Sequence, residues 1–93
     1  KIRPEDAEAL SALGYLYEMQ SRNADIALLF CQQAVEMAPE NAQFRHRLGR
    51  LYYNRTRYDE ALAEFEAARD LGDTASEEYI SMLQGRGNKA GEG

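Results

Sequence analysis

The chain has 93 residues and a net charge of −5, from 11 basic and 16 acidic side chains. This length suits one small domain, and the negative charge argues against binding to nucleic-acid phosphates. No apolar run approaches the roughly 18 residues of a membrane-spanning helix. We therefore expect neither nucleic-acid binding nor membrane insertion.

The number of cysteines indicates the redox state of the cellular compartment. Cys31 is the only cysteine, so an internal disulfide is excluded and a reducing compartment such as the cytoplasm is favoured, while the localisation is otherwise unknown. The first residue is Lys1 and not methionine. From this we expect the chain to be a segment of a longer protein.

Two prolines bound the first pair of predicted helices. Pro4 suits the first turn of a helix, where a missing N–H costs little, and apolar residues then recur at spacings of three and four to about Gln20. Residues 21–23 are predicted to form a turn. A second apolar stripe begins at Ile26, and Pro39 stops the helix that carries it. The pattern predicts a helical hairpin.

A second hairpin follows. Asn41 can cap a third helix that ends near Asn54. The fourth helix is predicted from about Tyr58 to Leu71, because Gly72 suits the left-handed position that closes a helix.

A fifth helix is predicted over residues 75–84, where Tyr79, Ile80 and Leu83 supply apolar positions. Residues 85–93 are rich in glycine and lack large apolar side chains. We therefore expect them to form a disordered tail.

The two hairpins repeat each other in sequence. Leu13, Gly14 and Tyr17 recur 35 residues later as Leu48, Gly49 and Tyr52, whereas Ala27, Cys31, Ala34 and Met37 recur 34 residues later as Ala61, Phe65, Ala68 and Leu71. The offset changes between these two sets, where the first turn lies, so the helices keep their register. Each helical glycine costs about 1 kcal/mol relative to alanine. This cost is acceptable where a missing side chain lets two helices approach, with Ala27 and Ala61 expected opposite.

Through these residues the chain resembles the tetratricopeptide repeat family, whose helix-turn-helix unit has a period of 34 residues. Pro39 and the entry sequence Tyr58-Asp59-Glu60-Ala61 add to the match. The resemblance implies an all-α fold, an α-α superhelix of antiparallel helix-turn-helix units, in one domain at residues 1–84. Its expected parts are repeat one at about 7–41, repeat two at about 42–75 and a C-terminal capping helix at about 75–84.

A polar stripe on the third helix is the candidate site. At about 100° per residue, four polar side chains fall within roughly 60° of one another: Gln43, Arg47, Arg50 and Asn54. Residues 41–58 hold five arginines and no acid. The resemblance implies that the first helices of the units line a concave peptide-binding groove, with Tyr15 beside this stripe. Because the repeat pattern uses neither Arg47 nor Arg50, both are predicted to be dispensable for the fold.

We expect a protein-interaction or scaffold module that holds a peptide segment or partner helix, acidic in one part and apolar in another, in this groove. Two alternatives stay open. The arginines could pair only with acids of the chain itself. Alternatively, the chain is a structural assembly or self-association unit of a longer repeat array, forming homo-oligomers and with no peptide ligand of its own.

The sequence contains no convincing active site. Cys31 lies on a core stripe, where a cysteine behaves as a small apolar residue. His46 has no second histidine or cysteine nearby with which to share a metal. We therefore predict no enzyme activity, no metal and no cofactor.

Overall fold

The computed structural model describes the backbone of residues 3–92 and the side chains of residue 3 and residues 5–85. This part of the chain is all-α, as predicted, and forms no strand. The five helices are α1 Pro4–Met19, α2 Ala24–Met37, α3 Ala42–Asn54, α4 Tyr58–Asp70 and α5 Ser76–Glu92.

Local signals in the sequence explain several helix ends. Pro4 stands in the first turn of α1. The Asn41 side chain accepts a hydrogen bond from the Phe44 amide at 3.0 Å, which caps α3 as predicted. After α4 the backbone of Gly72 takes a φ of +107°, a conformation that costs glycine little.

The fifth helix differs from its prediction. α5 begins at Ser76, and its backbone is helical to Glu92, eight residues beyond the predicted end at residue 84. The segment contains no proline, and each glycine costs a helix only about 1 kcal/mol. A helix that has started can therefore continue through Gly85. The last residue, Gly93, lies outside the described part.

Close helix packing occurs at both repeated glycines. A Cβ atom added at Gly14 would lie 2.8 Å from the Ala27 carbonyl oxygen and 2.9 Å from the Cys31 sulfur. At Gly49 it would instead meet the Phe65 ring at 2.9 to 3.1 Å. The expected approach is confirmed, and in the second hairpin the larger Phe65 takes the place nearest the glycine. α1 thus lies against the backbone of α2, whereas α3 lies against an aromatic ring.

A cluster around one histidine attaches α5 to the second hairpin. Tyr79 stacks on Phe65 with ring centroids 4.6 Å apart, and His46 meets both rings edge-on at 5.4 and 5.6 Å. The His46 Nδ1 atom lies 2.9 Å from Asp73 Oδ2 and 2.9 Å from Ser76 Oγ. The Ser76 hydroxyl in turn donates to the Asp73 carboxylate at 2.5 Å. One imidazole therefore links α3, the loop after α4 and the start of α5.

The surroundings of Gly14 and Gly85 predict that replacement by alanine has opposite effects on stability at the two positions. Gly14→Ala gains about 1 kcal/mol in helix propensity, but its methyl group meets a rigid backbone, and overpacking costs about 1–3 kcal/mol. We expect a net loss of stability. Gly85→Ala is the matched control, because nothing lies within 4 Å of the added Cβ, and it should gain about 0.5–1 kcal/mol.

Urea unfolding followed by circular dichroism measures both changes. A Gly14→Ala chain as stable as the Gly85→Ala chain would show that the close approach does not constrain α1 and α2.

The histidine cluster predicts a pH dependence of stability. Burial lowers the pKa of His46 below its usual 6.5 and outweighs the attraction of Asp73, while Arg50 and Arg47 also lower the pKa. Folding therefore favours the neutral ring. Its contribution is complete above the unfolded-state pKa and is lost as the pH falls from there through the folded-state pKa.

The effect is isolated by comparing the urea midpoints of the unmodified chain and the His46→Gln variant at about pH 7.5 and about pH 5.5. Because both chains have the same carboxylates, a difference between them in the loss of stability on acidification comes from His46. The unmodified chain should lose more stability on acidification than the variant does. Equal losses would contradict the assignment to His46.

Candidate functional site

Four of the five arginines in residues 41–58 have acidic partners within the chain. Arg45 pairs with Glu64 at 3.1 Å, Arg47 with Glu8 at 3.5 Å, Arg55 with Glu18 at 2.9 Å and Arg57 with Glu60 at 2.6 Å. Two of these pairs join different helices, the Arg55 pair joins the residue after α3 to α1, and the Arg57 pair lies at the start of α4. The alternative that the arginines serve the chain's own structure is therefore correct for most of the cluster.

Arg47 links α1 to α3. Its Nη1 atom donates a 2.8 Å hydrogen bond to the hydroxyl of Ser11, a residue with no solvent exposure. The same guanidinium lies 3.5 Å from Glu8 and 5.8 Å from the ring centroid of Tyr15. Removal of Arg47 would leave a buried hydroxyl without this partner. This hydrogen bond argues against the prediction that Arg47 is dispensable for the fold.

Arg50 is different because aromatic rings, not acids, surround it. The guanidinium carbon lies 5.6 Å from the ring centroid of Tyr15 on α1 and 5.6 Å from that of Tyr79 on α5. Cation–π attraction holds a cation in such a position without neutralising its charge. Within the described residues, the Arg50 guanidinium makes no hydrogen bond and no ion pair.

The remaining predicted residues lie on the same side of α3. Gln43 is exposed one turn before Arg47. Asn54 donates a 2.8 Å hydrogen bond from Nδ2 to Glu18 and is in this way tied to α1. We call the surface formed by Tyr15, Gln43, Arg47, Arg50 and Tyr79 the odd-helix face, because α1, α3 and α5 supply it.

Tyr79 is the member of this face that the sequence did not reveal as a site residue. The repeat pattern placed it in the apolar stripe of the fifth helix, and its stack on Phe65 agrees with a packing role. Its ring also approaches Arg50, a contact between residues 29 positions apart that the pattern within one helix cannot show.

The Cys31 thiol is unreactive. Burial raises the pKa of the Cys31 thiol to about 11, so the thiol stays protonated at neutral pH. It donates to the Ser11 carbonyl oxygen at 3.8 Å. Among the described residues, no three His, Cys, Asp or Glu side chains converge in a way that could hold a metal ion. In that same part of the chain, no helix is long and apolar enough to span a membrane.

Comparison with known proteins agrees with this architecture. The family model described as tetratricopeptide repeat matches residues 18–86, from the end of α1 into α5. The solution NMR structure of a tetratricopeptide repeat domain protein from Salinibacter ruber is similar, with a TM-score of 0.63 and 30% sequence identity. That likeness covers 96% of this chain and 90% of the other. No curated protein sequence matches the chain.

Repeats of this kind generally mediate protein–protein interaction or scaffolding, and they are typically non-catalytic. The match in sequence covers well over half of the chain, and the match in structure extends over 96% of it, beyond the residues of the family model. The chain therefore belongs to the tetratricopeptide repeat family.

Proposed function

We propose that the chain holds a peptide segment or partner helix on its odd-helix face, with a carboxylate of the partner at Arg50. The observation that carries this proposal is the position of that guanidinium, which lies between Tyr15 and Tyr79 and has no acidic partner among the described residues.

A carboxylate suits this position for electrostatic and geometric reasons. A guanidinium carries five N–H donors in a planar fork that matches the two oxygens of a carboxylate. Contact with two rings keeps the Arg50 side chain in place before the partner arrives, so less conformational freedom is lost on binding. The hydrogen bonds that form are charge-assisted and hence stronger than neutral ones.

An apolar part of the partner would lie along α1. Met19 is one turn after Tyr15 on the same side of the helix, and 64% of its surface is exposed. Ala12, three residues before Tyr15, is also exposed. These side chains offer apolar area next to the charged centre of the face. The partner that fits is acidic where it meets α3 and apolar where it meets α1.

Selection from a random peptide display library tests the proposal. We expect the selected peptides to combine Asp or Glu with large apolar residues. Arg50→Ala should weaken their binding roughly tenfold, about 1.4 kcal/mol, because a charge-assisted contact is lost.

Arg69→Ala is the matched control for charge, since Arg69 is an exposed arginine of α4 and lies away from the odd-helix face. Fluorescence anisotropy with labelled peptides gives the affinities. Selected peptides without acids, or an Arg50→Ala chain that binds as tightly as the Arg69→Ala chain, would refute the assignment.

The two arginines of the face should also differ in their effect on stability. Arg47→Ala removes the partner of the buried Ser11 hydroxyl and should cost about 1–3 kcal/mol. Arg50→Ala removes cation–π contacts of a partly exposed side chain and should cost about 0.5–1 kcal/mol. Urea unfolding of the two variants compares them directly. The reverse order of stability would contradict the separate roles given to the two arginines.

A further inference from the structure

A second surface lies at the free end of the first hairpin. Leu13 and Leu16 of α1 are 39% and 49% exposed. Their counterparts 35 residues later, Leu48 and Leu51, are 3% and 0% exposed. The sequence pattern is the same at both pairs, so the difference comes from what lies beside them. α3 has the first hairpin against this side, whereas α1 has no neighbour there within the described residues.

The chain itself shows what kind of element covers such positions. The Gln32 amide of α2 donates to the Tyr52 hydroxyl of α3 at 3.0 Å. Leu28 and Val35 lie one turn before and one turn after Gln32 on the same side of α2, and both are at least partly buried. α2, a helix with an apolar stripe and one central amide, thus packs beside α3. Tyr17, the counterpart of Tyr52, makes no such hydrogen bond within the described residues.

The exposed surface continues onto α2. Tyr17 stacks on Phe30 with ring centroids 6.2 Å apart, which joins the two helices. Ile26, one turn before Phe30, is 40% exposed. At the positions 34 residues later, the second hairpin has Glu60 and Glu64.

Both glutamates form ion pairs, Glu60 with Arg57 and Glu64 with Arg45. The first hairpin is therefore apolar where the second is charged. We call the surface formed by Leu13, Leu16, Tyr17, Ile26 and Phe30 the end face.

Net charge distinguishes the two kinds of molecule that could bind the end face, a second copy of the chain and a basic partner. Residues 3–37 contain six acids and only two bases: Glu5, Asp6, Glu8, Glu18, Asp25 and Glu36 against Arg3 and Arg22. Residues 38–85 hold nine acids and six arginines, so a second copy is also negative as a whole. Four of the five arginines in its basic stretch, residues 41–58, are ion-paired within the copy itself. Like charge disfavours association of two copies, whereas a basic partner is attracted.

We propose that the end face binds one amphipathic helix of a basic partner. The apolar stripe of that helix packs on Leu13 and Leu16 beside Tyr17, as α2 packs on α3 beside Tyr52, and Lys or Arg residues flank the stripe. A central Gln or Asn donates to the Tyr17 hydroxyl. This docking does not depend on the odd-helix face, which lies on another side of α1.

The probe is a blocked, labelled peptide with the sequence of residues 24–37, altered in two ways. Asp25→Lys, Gln33→Lys and Glu36→Lys supply the basic flanks. Phe30→Ala and Cys31→Ala remove the side chains that pack on Tyr17 and Gly14, so the peptide cannot replace α2 in its own hairpin. The stripe of Leu28, Gln32 and Val35 is kept.

We expect this peptide to bind the full chain and to shift the amide NMR signals of Leu13, Leu16 and Tyr17 most. The double variant Leu13→Gln and Leu16→Gln should weaken binding at least tenfold. Because both leucines are substantially exposed, the variant should keep its helicity, as circular dichroism checks. Arg69→Ala, on α4 and outside both faces, should leave this binding unchanged. The altered peptide contains no acid for Arg50, so a failure of the end-face proposal is distinct from a failure of the odd-helix-face proposal.

Three results would overturn the proposal. The first is an absence of binding, or binding that the double variant does not weaken. The second is equal affinity for a peptide with Glu in place of the three introduced lysines. The third is sedimentation that shows the chain alone to dimerise, with the dimer lost in the double variant, because the occupant would then be a second copy.

Discussion

The hairpins of this chain depend on two positions that have no side chain. Gly14 lets α1 approach the backbone of α2 so closely that even a methyl group would lie 2.8 Å from a carbonyl oxygen. Gly49 makes the corresponding room for the Phe65 ring. Phe65 in turn stacks on Tyr79, and this stack holds α5 against the second hairpin. The close approach of helices at these glycines therefore sets most of the architecture, because each packed group fixes the position of the next one by direct contact.

The fold could be derived from sequence because its signals are local or repeated. Prolines, the Asn41 cap and apolar spacing depend on residues within one helix, and the overlay of the hairpins reveals a contact plane through Gly14 and Gly49 without any structure. The end of α5 was not derivable in the same way. The glycine content of residues 85–93 favours disorder, but each glycine destabilises a helix only weakly. Whether the helix continues therefore depends on the whole segment.

The candidate site could be derived only in part, because pairing of charges is a property of three-dimensional contacts. Arg47 and Arg50 occupy equivalent places in the stripe of α3. One reaches the buried hydroxyl of Ser11, 36 residues away, while the other lies between two rings from different helices. No periodicity in sequence distinguishes them. The same holds for burial, since Leu13 and Leu48 match in pattern but differ in exposure in the part of the chain that the structure describes.

α1 is the element that the two proposed surfaces share. Tyr15 turns toward Arg50 on one side of this helix, and Leu13 and Leu16 are exposed on another. The contacts that hold α1 to α3 include polar ones, the hydrogen bond of Arg47 to the buried Ser11 hydroxyl and the exposed hydrogen bond of Asn54 to Glu18. The two surfaces therefore share one helix but use different residues of it, Tyr15 in the odd-helix face and Leu13 and Leu16 in the end face.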